Sequence, residues 1–182
     1  GSKIYRVSLL AGDKVCFDGR SVSGGSVNWR LIDPFGVSVA GSDLMSWQGA
    51  FSVKSSGDYW LTIDGSDSNA AGATVGYRFA LNSVPDVTTS LSLGQAVTGN
   101  IDVRGQNTVY SFELAAATRL ALDSLSNRSD ISWSLIGPRG IEATKSFSSS
   151  DADTASVDVY ALPSGSYRLV INGTGTGAYG FR

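Results

Sequence analysis

Trp29-Arg30-Leu31-Ile32-Asp33-Pro34-Phe35-Gly36 and Trp133-Ser134-Leu135-Ile136-Gly137-Pro138-Arg139-Gly140 are two versions of one design, with an aromatic, a Leu-Ile pair, a proline and a glycine at the same spacing. Each reads as a strand running into a tight turn. Proline is favoured at the second position of a type I turn because its ring fixes φ, and glycine follows where φ must turn positive. Two hairpins of one design predict two similar domains.

The pattern around the hairpins also repeats. Tyr5, Val7 and Leu9 alternate with polar residues as Tyr110, Phe112 and Leu114 do; Val15 and Phe17 match Leu120 and Leu122. Tyr59, Leu61 and Ile63 match Tyr167, Leu169 and Ile171, and Tyr77 and Phe79 match Tyr179 and Phe181. A period of two marks strands with one buried face. Trp29/Trp133, Leu31/Leu135, Tyr59/Tyr167, Ile63/Ile171 and Tyr77/Tyr179, apolar in both copies, are therefore assigned to the core, where each contributes roughly 1.5 to 3 kcal/mol on full burial. The predicted fold is all-β: two tandem antiparallel β-sandwiches with jelly-roll or Greek-key connections. Repeat 1 spans residues 3–82 and repeat 2 residues 91–182. The stretch 83–90, with Pro85 and several Thr and Ser, reads as a semi-extended linker. Repeat 2 begins with an alternating strand over Leu91 to Val97 and a turn at Gly99-Asn100, and the corresponding strand is missing ahead of Tyr5. The first sandwich should therefore be incomplete at one edge, a vacancy to be covered by another segment or molecule.

Composition narrows the function. The 182 residues carry a net charge of −2, 22 glycines, one cysteine and no histidine. Neither a nucleic-acid partner nor a membrane span is indicated. Without histidine there is no Ser-His or Cys-His nucleophile, and one cysteine offers neither a disulfide nor a zinc cluster. Cys16, between Val15 and Phe17, is assigned to the interior. Gly1-Ser2 resembles a cloning remnant and no signal peptide is evident, so the chain reads as part of a longer polypeptide.

The run Leu91-Ser92-Leu93-Gly94-Gln95-Ala96-Val97-Thr98-Gly99, then Tyr110-Ser111-Phe112-Glu113-Leu114, Leu135-Ile136-Gly137-Pro138-Arg139-Gly140 and Leu162-Pro163-Ser164-Gly165-Ser166-Tyr167-Arg168-Leu169-Val170-Ile171 resembles the bacterial pre-peptidase C-terminal domain. The resemblance covers nearly all of the second repeat and, more weakly, the first from Tyr5 to Leu81. It implies a non-catalytic jelly-roll-like module of secreted or surface bacterial proteins, serving as spacer, secretion-associated appendage or binding module. Some members of that family bind calcium.

Three kinds of site are considered. A carboxylate enzyme would have to use Glu113 and Glu142, the only glutamates. Calcium requires several converging oxygens, for which Asp64, Asp67 and Asn69 form one candidate group and Asp151 and Asp153 another. Neither follows the regular calcium-loop spacing, and polar turns of this kind are common without metal. A glycan or protein ligand would use aromatics outside the shared core. These are Phe35, Trp47 and Trp60, with Trp60 pointing away from the core because it alternates with Tyr59 and Leu61. The leading expectation is a non-enzymatic spacer or presentation segment, partnered by other domains of its parent; the alternative is a carbohydrate- or protein-binding module.

Overall fold

In the computed structural model, which describes residues 1–153 and 157–182, both hairpins form with the predicted turn chemistry. Gly36 N–H donates to Asp33 O at 3.0 Å, closing the turn around Pro34. The Asp33 carboxylate also accepts from the N–H groups of Phe35 and Val37. Gly36 and Gly140 have φ of +86° and +96°, the left-handed region that a side chain would strain.

The chain divides into two units, Gly1–Val84 and Pro85–Arg182. In unit 1 the strands are β1 (Ser2–Leu9), β2 (Lys14–Ser23), β3 (Val27–Ile32), β4 (Ser38–Asp43), β5 (Ala50–Ser52), β6 (Gly57–Gly65) and β7 (Gly76–Ser83). They form one layer in the order β1-β6-β3-β4 and a second in the order β5-β2-β7. Apart from the β3–β4 hairpin, each connection passes from one layer to the other, as Greek-key topology requires. The alternating faces meet as expected. Val27, Trp29 and Leu31 of β3 and Tyr59, Leu61 and Ile63 of β6 bury against Val15 and Phe17 of β2. Cys16 is buried.

Unit 2 contains β8 (Val87–Ser90), β9 (Val97–Ile101), β10 (Asn107–Leu114), β11 (Thr118–Leu120), β12 (Ile131–Gly137), β13 (Gly140–Ser146), β14 (Tyr160–Leu162), β15 (Gly165–Gly173) and β16 (Gly177–Phe181). Its larger sheet runs β13-β12-β15-β10-β8. The pairs β11-β14 and β16-β9 form two further small sheets, and Phe181 of β16 bridges to Ser124 in the segment after β11. Registers repeat those of unit 1: Trp29 lies opposite Ile63 and Trp133 opposite Ile171, while Tyr5 lies opposite Leu61 and Tyr110 opposite Leu169. Even the bulge recurs, after Leu31 in one hairpin and after Leu135 in the other. Each unit carries the same tyrosine brace, with Tyr59 Oη donating to Ser55 O and Tyr167 Oη to Pro163 O, both at 2.8 Å.

Two expectations are corrected. The stretch 83–90 is not a linker: Val84 is fully buried, and Val87–Ser90 is a strand paired parallel to β10. The opening strand is therefore displaced from Leu91–Val97, where the chain instead turns at Gly94, and Gly99-Asn100 lies inside β9 rather than in a turn. Gly99 is there for room, because a Cβ at that position would lie 2.4 Å from the Tyr179 ring.

Candidate functional site

Trp60 stands on the outward face of β6, 44% exposed, with Arg6 of β1 and Ile32 of β3 as its cross-strand neighbours. Phe35, at the tip of the β3–β4 turn, is the most exposed of the large apolar side chains described, at 76%. Trp47 is half-buried in the connection after β4. Trp60 and Phe35 flank the turn end of the hairpin, since Ile32 is opposite Trp60 and only three residues before Phe35. Trp47 follows the other end of β4, in the connection to β5.

Three of the calcium candidates, Asn69, Asp64 and Asp151, make local hydrogen bonds through their side chains. Asn69 Oδ1 accepts from Ser26 N–H and Asn69 Nδ2 donates to Ser26 O, both at 2.8 Å, so this side chain mimics a backbone pairing across two loops. Asp64 accepts from Thr62 Oγ1, and Asp67 is exposed in the following turn. Asp151 is buried and accepts from the N–H of Asp153 at 2.9 Å, which turns the chain locally. Among the described residues no three acidic, cysteine or histidine side chains come together.

The two glutamates are also apart. Glu113 is on β10 and Glu142 on β13, with β15 and β12 between them. Three strand spacings are about 14 Å, beyond the roughly 5 to 9.5 Å that a glycosidase carboxylate pair uses. Glu142 is engaged by the Arg139 guanidinium, whose hydrogen bonds hold the carboxyl below its ordinary range, and Arg139 also donates to Ala161 O.

Sequence reasoning missed an apolar cleft in unit 2. About 440 Å³ in volume, it is lined by Leu91, Phe112, Leu122, Trp133, Tyr160 and Phe181, among others. One difference between the repeats adjoins it. In unit 1 Phe17 stacks on Trp29 with ring centroids 4.1 Å apart and 10° between planes, filling the corresponding space. In unit 2 the smaller Leu122 stands there, and Trp133 meets Tyr160 edge-on at 6.0 Å. The signal was present in the Phe17/Leu122 pairing but needed the packing to be read. Leu122→Phe is expected to raise unit 2 stability by up to ~1 kcal/mol through cavity filling. A urea titration checks it, and a loss of more than ~1 kcal/mol would mean that the cleft does not admit a ring.

No protein-family model and no curated protein sequence matches the chain. Among solved structures it is similar to the pre-peptidase C-terminal domain of collagenase from Bacillus anthracis, at 18% identity and TM-score 0.43, over 55% of this chain and 97% of that one. It is also similar to the CUB1-EGF-CUB2 region of human MASP-1/3, at 6% identity and TM-score 0.29, over 100% of this chain and 92% of that one. At these levels of similarity the fold rests on the strand order and registers of the chain itself: an all-β pair of sandwiches.

Proposed function

We propose that the chain is a non-catalytic scaffold, a tandem sandwich segment that spaces or presents other domains of a larger secreted or surface bacterial protein. One observation carries this reading: the residues at the centre of each core recur, while the exposed Trp60 and Phe35 do not. Trp29/Trp133, Leu31/Leu135, Tyr59/Tyr167 and Ile63/Ile171 are all buried. Outward positions have diverged, with Trp60 matched by Arg168 and Phe35 by Arg139. A duplicated ligand surface would have repeated its outward residues. Here the interior is repeated.

A second reading, a glycan- or protein-binding module, is favoured by the exposure of Trp60 beside Arg6 and Ile32, because an exposed indole on a flat sheet face suits stacking on a sugar ring. A polysaccharide pull-down and glycan array with the unaltered chain and Trp60→Ala separates the two. The scaffold reading expects no saturable binding by either protein, and a stability change within about 0.5 kcal/mol for this exposed site. Saturable binding abolished by Trp60→Ala would replace the scaffold reading with the second.

A further inference from the structure

The apolar cleft of unit 2 has a lining that selects an occupant. It is built from three places: the inward residues Phe112 and Leu169 of the larger sheet, Leu120 and Leu122 in and after β11, and the crossing segment 91–95 between β8 and β9. These side chains are not equally sealed. Phe112 and Leu122 are 8% and 9% exposed, whereas Leu93 is 43% exposed and Leu91, Leu120 and Tyr160 are half-buried. Apolar surface is therefore left for a ligand to cover. A volume of about 440 Å³ lies within the range of roughly 300 to 1,000 Å³ that small-molecule pockets occupy. Since about 150 Å³ of apolar cavity admits one benzene ring, there is room for a two-ring skeleton.

Charge narrows the chemistry further. Among the described residues three charged ones border the cleft, and none offers it a free charge. Asp123 Oδ2 is 3.1 Å from Arg182 Nε, and Asp123 Oδ1 accepts from Ala152 N–H at 2.9 Å. Arg119 lies opposite the exposed Ala161, while the adjacent Leu120 lies opposite Tyr160 and packs on the core, so strand alternation sends the Arg119 side chain to the outer face. A charged ligand would leave water for apolar walls without a counter-charge, an unfavourable transfer. An uncharged one meets no such penalty.

Unit 1 shows what kind of group suits this interior. Its Phe17 takes the place of Leu122, stacking on Trp29 and also on Phe79, the latter at 5.2 Å. By register, Phe51 opposite Val15 takes the place of Tyr160 opposite Leu120. One copy of the design thus supplies from its own chain a ring that the other does not. We propose that the cleft of unit 2 is a binding site for an uncharged apolar small molecule with a ring skeleton of about two fused rings. It would cover Leu91 and Leu93 and rest on Leu122. This inference goes beyond the scaffold reading and does not depend on it, because the glycan experiments interrogate Trp60 of unit 1 and the titration below interrogates unit 2.

The test titrates 2-naphthol, uncharged at neutral pH, into the full chain and follows it by NMR; 2-naphthoate and 2-naphthylmethylammonium are its charged twins. The neutral compound should bind saturably at millimolar concentration or below, with intermolecular nuclear Overhauser contacts to Leu91 and Leu122. Each charged twin should bind about tenfold more weakly or worse. Leu122→Phe should weaken 2-naphthol by about tenfold or more in a protein that stays folded, because the new ring takes the same space. The proposal is overturned by absence of saturable binding, by contacts confined to residues outside the cleft, by a charged twin that binds as well as 2-naphthol, or by unchanged affinity in the phenylalanine variant. Should that variant fail to fold, the contacts of 2-naphthol with the unaltered chain decide, and their absence at Leu91 and Leu122 overturns the proposal.

Discussion

Trp133→Ala is expected to destabilise unit 2 by ~3 to 5 kcal/mol, a large fraction of the 5 to 15 kcal/mol that holds a domain folded. The indole is 2% exposed, its Nε1–H donates to Ser150 Oγ at 2.9 Å, and it shares a core with Leu135 and Ile171. Truncation removes the transfer energy of the ring, enlarges the adjoining cleft of about 440 Å³ and leaves Ser150 without this donor. Urea unfolding followed separately in each unit by hydrogen exchange measures the effect. Unit 1 should be unaffected, and a loss below ~1 kcal/mol in unit 2 would contradict the assignment of this face to the core. The matching Trp29 is packed differently: its ring stacks on Phe17, but its buried Nε1–H finds no acceptor among the described residues.

The faces were legible because sandwich strands bury alternate residues and the chain states its pattern twice. Chance alternation at Tyr5-Val7-Leu9 is unremarkable; the same alternation at Tyr110-Phe112-Leu114, in the same place relative to the hairpin, is not. β8 was illegible for a physical reason. Val87, Thr88, Thr89 and Ser90 are all exposed, so this edge strand carries no burial alternation, and its polar residues resemble a linker. Only the β-branched Val-Thr-Thr run hinted at it. Leu91, which sequence periodicity placed at the start of a strand running to Val97, instead packs on the core from the crossing segment. Gly99-Asn100 imitated a turn because glycine serves two purposes, φ freedom in a turn and space beneath a ring in a strand. Of the site, the outward aspect of Trp60 could be read from period two. The pairing of Asn69 with Ser26, forty-three positions away, could not be read from local sequence.

The second large effect concerns independence. Residues 85–182 contain β8 to β16 and a core running from Ile101 to Phe181. They hold every described strand of unit 2, so the fragment should fold alone with a cooperative transition. Starting the fragment at residue 91 removes β8, which uncovers the edge of β10 and leaves Thr108 to Ser111 without their partners Val87 to Ser90. The central claim, two copies of one sandwich design with separate cores built on shared residues, is therefore tested most directly by near-UV circular dichroism and hydrogen exchange of the isolated 85–182 fragment. The account predicts a fixed near-UV signal and protection of β10, β12 and β15 as strong as in the full chain. A fragment without near-UV signal, or with those strands exchanging as in an unfolded chain, would contradict it and require a single fused core.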